Sequence, residues 1–255
     1  MGDKLKGLFF DVVADVTAYD APDITALPDA LGPFGQYIII SSSAVYPDTG
    51  AQPFREDAPL GPNRFWGAYG TGKIAAERAL LSRVPDAYIL RPPYLYGPMN
   101  NVYREAFVFD CAQADRAFYL PREGELKLQF FHVRDLCRLM ERIILTAPAE
   151  HILNVGDPEA ISVRDWVTLC YACLGKTPRF VPVHEDIQQR SYFSFYDYEY
   201  FLDVSRQQAL LPALTPLSEG LQEAFAWYTG HRDQVVRKDF IPYIDAHLRP
   251  LYRGV

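Results

Sequence analysis

The sequence has little cysteine, no long hydrophobic run and no excess of basic residues. Its four cysteines are too few for a disulfide framework in 255 residues, which is typical of a reducing compartment. No segment reaches the roughly 18 apolar residues that a membrane helix needs. The net charge of −7 provides no basic stripe to neutralise the phosphates of a nucleic acid. We therefore expect a cytoplasmic protein with no membrane and no nucleic-acid partner.

The first residues also lack the features of a targeting segment. Asp11 interrupts the apolar residues 8–10, and Lys6 stands where a myristoylation motif that starts at Gly2 has Ser or Thr. Hydrophobic residues make up 49% of the chain and charged residues 22%, which is close to the globular norm. A packed core is expected.

Continuous apolar runs predict buried parallel strands. They cover residues 8–16, 36–40, 87–90 and 151–155. Unbroken rather than alternating runs suit strands that are covered on both faces. Helical spacing lies between them at residues 72–81 and 134–145. This alternation predicts an α/β fold with an incomplete, Rossmann-like, doubly wound parallel sheet.

The character of the sequence changes after Gly156. Residues 162–174 and 217–229 predict helices, with Ser162 as an N-cap and Asp165 at the third helical position. We expect a partial nucleotide-binding lobe from residues 1–98 and 151–156, bridging segments at 99–150, and a smaller mixed α/β substrate-binding lobe at 157–255. Aromatic residues at 192–201 are expected either to line a substrate pocket or to pack between lobes.

Tyr69 and Lys73 form the strongest candidate for chemistry. A spacing of four residues in a helix places both side chains on one face. An ammonium beside the phenol lowers its pKa from about 10, which would make Tyr69 a general acid/base. The spacing alone is also met by ordinary surface pairs, since the chain has 17 tyrosines.

Two neighbouring motifs favour the catalytic interpretation. Ser42 follows the strand at 36–40, where the carboxyl end of a parallel sheet places ligand-binding groups. Serines at such a position can also merely satisfy backbone groups. The segment from Arg91 to Pro98 then follows the next strand. We interpret the ordered set as functional.

The motifs resemble the extended short-chain dehydrogenase/reductases, also called NAD-dependent epimerase/dehydratases. They are Ser41-Ser42-Ser43-Ala44-Val45-Tyr46, Tyr69-Gly70-Thr71-Gly72-Lys73, Arg91-Pro92-Pro93-Tyr94-Leu95-Tyr96-Gly97-Pro98, Phe131-His132-Val133-Arg134-Asp135 and Leu153-Asn154-Val155-Gly156. The resemblance extends from about residue 8 to residue 227. It implies an oxidoreductase or isomerase that uses NAD or NADP, acts on a sugar-like or other hydroxylated small molecule, and forms a homodimer in many members.

The resemblance also implies roles for individual residues. Ser42 and Tyr69 would be catalytic, and Lys73 would bind the nicotinamide ribose and tune Tyr69. The implied cofactor-binding set is Ala18, Tyr19, Ser41, Tyr69, Lys73, Arg91, Pro92 and Pro93. The implied substrate-binding set is Ser43, Tyr94, Asn100, Asn101 and His132.

The family begins with a strand and a glycine-rich turn, and this sequence contains no Gly-x-Gly-x-x-Gly. If residues 8–16 match the family's fourth strand, the first three strands are absent, and cofactor binding by the isolated chain is expected to be deficient. A shortened gene or fragment, a second chain that supplies the missing half, and a remnant that no longer binds NAD are the three explanations. A non-catalytic binding or scaffold module is the alternative function.

Other motifs favour ordinary packing. The segment from Gly67 to Lys73 partly fits a P-loop, but Ile74 replaces the Ser or Thr that would hold magnesium. Cys170 and Cys173 have no second pair at zinc spacing, so we expect core packing and no metal site.

Overall fold

The computed structural model describes Leu5 and residues 7–252. Gly2 and Lys6, which were considered for a lipid anchor, lie outside the described residues. The chain divides into two compact units. The first comprises residues up to 94, 129–158 and 200–214, and the second comprises residues 95–128, 159–199 and those from 215 onward.

The strands and helices of both units are as follows. The strands are β1 (Phe10–Asp15), β2 (Phe34–Ile40), β3 (Tyr88–Arg91), β4 (Tyr94–Tyr96), β5 (Phe118–Pro121), β6 (Lys127–Leu128), β7 (Phe130–His132), β8 (Ile152–Asn154), β9 (Ile161–Ser162) and β10 (Phe180–Val183). The helices are α1 (Ala21–Ala30), α2 (Gly67–Arg83), α3 (Glu105–Gln113), α4 (Val133–Thr146), α5 (Val163–Ala172), α6 (Ser205–Leu210), α7 (Leu217–Gly230) and α8 (Phe240–Tyr243), with a π-helical turn at Ile244–Leu248.

The first unit is built on a parallel sheet in the order β1-β2-β3-β8. Ala14 pairs with Ile38, and Leu90 pairs with Leu153, so the four apolar runs lie side by side. Ile38, Leu90 and Leu153 are fully buried, which is why these strands are continuously apolar. The predicted α/β fold with a parallel sheet is confirmed.

Helix α1 was not predicted from the sequence. It begins after Asp20, whose side chain accepts a hydrogen bond from the backbone N–H of Asp23. Pro22 falls in the first turn, where a missing N–H is tolerated, and Pro28 falls near the end of the helix. Ile24 is fully buried in the core that α1 shares with β1, β2 and α2.

The helix expected at residues 134–145 is α4. Its apolar stripe buries Leu136, Leu139 and Ile143, and its first residue follows His132, the N-cap. The His132 ring nitrogen Nδ1 accepts a hydrogen bond from the Arg134 N–H at 3.3 Å. The period of the sequence therefore predicted the helix and most of its buried face, whereas Ile144, which has the same spacing, is 37% exposed.

The second unit has a two-stranded parallel sheet, β5 with β10, and helices α3, α5 and α7 that pack together. Its core is rich in aromatic rings, including Phe107, Phe118 and Phe193. The Ser162 hydroxyl accepts a hydrogen bond from the Asp165 N–H at 3.0 Å, so the expected N-cap of α5 is present.

The described residues contain neither a membrane-spanning helix nor a metal-binding cluster. No helix in that part of the chain is long and apolar enough to cross a membrane. Over the same residues, His, Cys, Asp and Glu side chains form no group of three that could hold a metal ion.

Candidate active site

The serine segment, residues 41–43, follows the carboxyl end of β2 and leads directly into a turn. The Ser41 N–H donates to the Leu90 carbonyl at 2.7 Å, and the Ser43 N–H donates to the Pro92 carbonyl at 2.9 Å. These bonds hold the serine segment beside the end of β3. The Ser42 hydroxyl oxygen accepts the Ala44 N–H at 3.1 Å and caps a short 3₁₀ turn. Its own O–H hydrogen is not used in that bond.

Helix α2 carries Tyr69 and Lys73 in its first two turns. The two side chains differ in environment, because Tyr69 is 39% exposed and Lys73 is only 5% exposed. The Lys73 ammonium nitrogen lies 5.9 Å from the centre of the Tyr69 ring and 5.1 Å from that of Tyr19. The predicted pair therefore shares one site, with the tyrosine open to solvent and the lysine beneath it.

Two backbone carbonyls hold the Lys73 ammonium. Nζ donates to the Ala18 carbonyl oxygen at 2.7 Å and to the Ile40 carbonyl oxygen at 2.9 Å. Burial lowers the pKa of Lys73, and the charges of Asp15, Glu77 and Asp23 act in the opposite direction. An ammonium has three N–H donors, so one donor remains beyond these two bonds.

Two glycines allow α2 to approach the rest of the site closely. A Cβ at Gly70 would lie 2.5 Å from the Ala44 carbonyl oxygen, and one at Gly72 would lie 2.9 Å from the Tyr19 carbonyl oxygen. Side chains at either position would force the helix away from these backbone atoms. The two glycines between Tyr69 and Lys73 thus allow both residues to lie close to the serine segment and to the turn that contains Tyr19.

Arg91 and Ser41 belong to a buried polar network under the site. The Arg91 guanidinium forms a bidentate pair with Glu77, with Nε–Oε1 at 3.0 Å and Nη2–Oε2 at 2.7 Å. The Ser41 hydroxyl donates to the same Glu77 carboxylate. Arg91 also donates to the Tyr46 hydroxyl at 2.8 Å, and that hydroxyl donates to Asn154 Oδ1 at 2.7 Å. These contacts hold the ends of β2, β3 and β8 together.

Pro93 lies near the turn that ends β8. A Cβ at Gly156 would lie 3.4 Å from Pro93 Cγ and 3.2 Å from the amide of Gln129. The Gly156 N–H donates to the side-chain oxygen of the buried Gln207 at 2.9 Å. The structure therefore places Pro93 at the carboxyl edge of the sheet, on the side of β3 that faces β8.

The predicted substrate residues Ser43, Tyr94 and His132 also lie in the first unit. Ser43 is 5% exposed and Tyr94 is 8% exposed, and His132 is fully buried as the cap of α4. The Tyr94 ring centre lies 6.0 Å from that of Trp66 and 5.6 Å from that of Tyr200. Tyr94 is thus one ring of an aromatic cluster that also contacts Tyr69 through Trp66.

The other two predicted substrate residues lie in the second unit. Asn100 Nδ2 donates to Glu105 Oε1 at 2.8 Å, and Asn100 Oδ1 accepts the Val102 N–H at 3.1 Å. The Asn101 carbonyl accepts the Val236 N–H at 2.9 Å. Burial raises the pKa of Glu105.

Asp15, Glu77 and Trp66 are site residues that sequence reasoning missed. Glu77 follows Lys73 by four residues, so its place on the same helix face was available from the spacing. Asp15 is an acidic residue inside the apolar run at 8–16, which is a weak signal in the sequence. Trp66, three residues before Tyr69, carried no comparable signal.

Comparison with known protein families identifies the family of the chain. A profile of the NAD dependent epimerase/dehydratase family matches residues 24–156, just over half of the 255 residues. The chain belongs to this family, so the resemblance of the motifs is confirmed. The match includes the serine segment, α2 and the end of β3.

One relative is similar to this chain over most of its length. Chloroplast stem-loop binding protein of 41 kDa b from Arabidopsis thaliana is 27% identical over 224 residues, which cover 85% of this chain and 58% of that protein. The chain thus spans less than two thirds of that relative's length.

Solved structures share the fold at low identity. UDP-glucuronic acid 4-epimerase from Bacillus cereus, in complex with UDP-glucuronic acid and NAD, has a TM-score of 0.61 at 18% identity and is covered to 66%, against 81% of this chain. RMD from Pseudomonas aeruginosa, complexed with NADPH, has a TM-score of 0.67 at 16% identity, with 82% of it and 87% of this chain covered.

The site fits one end of a nicotinamide cofactor. The remaining donor of Lys73 and the exposed Tyr69 are groups that can bind a ribose hydroxyl. The pyrophosphate end needs a glycine-rich turn before a helix, and the sequence has no Gly-x-Gly-x-x-Gly.

Proposed function

We propose that the chain is an NAD(P)-dependent epimerase, dehydratase or reductase that acts on a sugar-like, hydroxylated substrate. The observation that carries the proposal is the Lys73 ammonium, held by two carbonyls directly beneath the exposed Tyr69 ring. A buried cation with a fixed position stabilises a phenolate nearby, which is the charge that a tyrosine base needs.

Each residue has a separate task in this proposal. Tyr69 takes the proton of a substrate alcohol, and the Ser42 O–H donates a hydrogen bond to the same oxygen. Lys73 binds a ribose hydroxyl of the cofactor and favours the ionised form of Tyr69. When bound, a nicotinamide cofactor would supply the hydride acceptor, so that loss of a proton to Tyr69 and of a hydride from the alcohol carbon would turn the alcohol into a carbonyl. Return of both the hydride and the proton held by Tyr69 would restore an alcohol.

Some of the remaining predicted residues would contact the cofactor, and others would support the site. Pro92 and Pro93 would lie against the nicotinamide, and Ala18 and Tyr19 would line the path of the ribose. Arg91 and Ser41 use their polar groups on Glu77, which supports a role in holding the sheet edge. His132 would position the start of α4 beside the substrate.

The substrate class rests on the solved structures and on the aromatic cluster. The Bacillus cereus epimerase is bound to UDP-glucuronic acid. Trp66, beside Tyr69 with ring centres 6.4 Å apart, offers a partly exposed face on which the apolar side of a sugar ring can stack. We therefore propose a nucleotide sugar as the substrate.

The test combines cofactor titration with turnover. Because the chain has no Gly-x-Gly-x-x-Gly, we expect weak binding of NAD and NADP, detectable by calorimetry only near millimolar cofactor. With saturating cofactor and UDP-linked sugars, Tyr69→Phe should lower kcat at least about 100-fold, the contribution expected of a general acid/base. Tyr243→Phe, a partly buried tyrosine of the second unit, is the matched control. Turnover that survives Tyr69→Phe would remove Tyr69 from this role.

The name of the Arabidopsis relative supports a second candidate function, that of a binding module. That relative is named for stem-loop binding. The net charge of −7 opposes phosphate binding by this chain, so we expect no salt-sensitive retention of a stem-loop RNA. Tight RNA binding together with no cofactor binding would favour the second candidate over the enzyme.

A further inference from the structure

Asp15, the last residue of β1, organises the turn that leads to Ala18. Its side chain is buried, at 4% exposure. Oδ1 accepts the Thr17 N–H at 3.1 Å and the Ala18 N–H at 3.0 Å. Oδ2 accepts the hydroxyl of the buried Tyr37 at 2.8 Å. Both carboxylate oxygens are therefore used to hold one backbone turn against β2.

That turn delivers one of the two carbonyls that bind Lys73. Ala18 donates its N–H to Asp15 and accepts the Lys73 ammonium at its carbonyl oxygen, 2.7 Å away. We propose that Asp15 is a positioning residue for Lys73, acting through Ala18 and through its buried negative charge. This inference rests on the proposed function only for its effect on turnover.

Asp15 differs from the other acidic residues near Lys73 in its burial and in its lack of an ion pair with any described residue. The acidic groups that act on Lys73 are Asp15, Glu77 and Asp23. Glu77 is paired with the guanidinium of Arg91, which offsets its charge. Asp23 is exposed, and its carboxylate accepts the Tyr19 N–H at 2.8 Å, so solvent screens it. Asp15 is buried and forms no ion pair with any described residue.

The tyrosines near Lys73 do not supply the negative charge that Asp15 provides. Tyr19 and Tyr69 present ring faces to the ammonium at 5.1 Å and 5.9 Å. Burial and the hydrogen bond to Asp15 raise the pKa of Tyr37, so Tyr37 stays a neutral donor. The charge that Lys73 experiences from this side of the site therefore comes from Asp15.

The test separates the charge of Asp15 from its hydrogen bonds. Asp15→Asn keeps an acceptor for the turn and removes the charge, and Tyr37→Phe keeps the charge and removes the Oδ2 contact. Asp11→Asn removes an exposed carboxylate from the same strand and is the matched control. The titration of Lys73 is followed by NMR on protein with ¹³C-labelled lysine, with Lys73→Met used to assign the signal.

We expect Asp15→Asn to move the Lys73 titration to lower pH, while Tyr37→Phe and Asp11→Asn leave it in place. An unchanged titration in Asp15→Asn, or an equal shift in Asp11→Asn, would overturn the inference. If Asp15→Asn does not fold, Asp15→Ser, which also keeps an acceptor without the charge, provides the same comparison.

Turnover gives a second readout. Asp15→Asn should lower kcat/KM about tenfold or more, as expected when a charge-assisted hydrogen-bond network is weakened, and should move the alkaline limb of the pH profile. The NMR titration needs neither cofactor nor substrate. A shifted Lys73 without any turnover in the wild type would thus reject the proposed enzyme and keep the inference.

Discussion

Asp157, which follows Gly156 at the end of β8, is expected to destabilise the folded protein at neutral pH. Burial, and then the nearby charge of Asp135, raise the pKa of Asp157 from 3.8 to about 7. Replacing it with Asn removes a charge that the folded state disfavours. The substitution Asp157→Asn should therefore stabilise the protein above pH 7.

The direction in which stability changes with pH follows from the pH at which each state loses the Asp157 proton. Between pH 3.8 and about 7 the unfolded chain releases the Asp157 proton while the folded chain keeps it, so stability falls as pH rises. Each pKa unit corresponds to 1.36 kcal/mol, which gives about 4 kcal/mol at pH 8. Asp157 is only partly buried, so we expect Asp157→Asn to gain about 2 to 4 kcal/mol there.

Urea unfolding at two pH values measures this effect. By pH 5 the gain should fall to less than half of its value at pH 8, because the cost of ionising Asp157 in the folded state accumulates between pH 3.8 and about 7 and most of that range lies above pH 5. Asp11→Asn, an exposed residue of the first unit, should change stability by no more than about 0.5 kcal/mol at either pH. A gain that is equal at pH 5 and pH 8, or a loss at pH 8, would refute the reasoning.

Two further substitutions test how the site is built. Gly70→Ala places a Cβ 2.5 Å from the Ala44 carbonyl oxygen and should cost about 1 to 3 kcal/mol in thermal unfolding, whereas Gly230→Ala meets open space and should not destabilise. Glu77→Gln breaks the buried pair with Arg91 and should cost about 3 kcal/mol, and the double variant Glu77→Gln/Arg91→Met should cost less than the sum of its parts. A destabilised Gly230→Ala, or strict additivity of the pair, would contradict these explanations.

The sequence predicted the parts of the fold that depend on local pattern. The four continuous apolar runs correspond to β1, β2, β3 and β8, and the three-four spacing at 134–145 corresponds to α4. Helix α1 escaped prediction because Pro22 and Pro28 are usually breakers, and only the Asp20 cap and the packing of Ile24 outweigh them. The start of α2 lies five residues before the predicted one, at Gly67.

The candidate site was predictable to the extent that its residues form motifs. Ser42, Tyr69 and Lys73 were expected together, and the structure places them at one edge of the sheet. The burial of Arg91 against Glu77 was not predictable, because it depends on the packing of α2 on β3. Which of the predicted residues are exposed and which are buried beneath the site is set by the tertiary structure.

The position of Lys73 shows why sequence motifs alone do not predict the geometry of the site. Its ammonium binds the carbonyls of Ala18 and Ile40, and every amino acid has a carbonyl, so neither residue type is required for the contact. What the sequence must specify instead is the path of the backbone. Asp15 sets the turn that presents Ala18, and Gly70 and Gly72 let α2 come close enough to reach it. Substitutions at these three positions should therefore disturb Lys73 more than apolar substitutions of Ala18 or Ile40 that keep the fold.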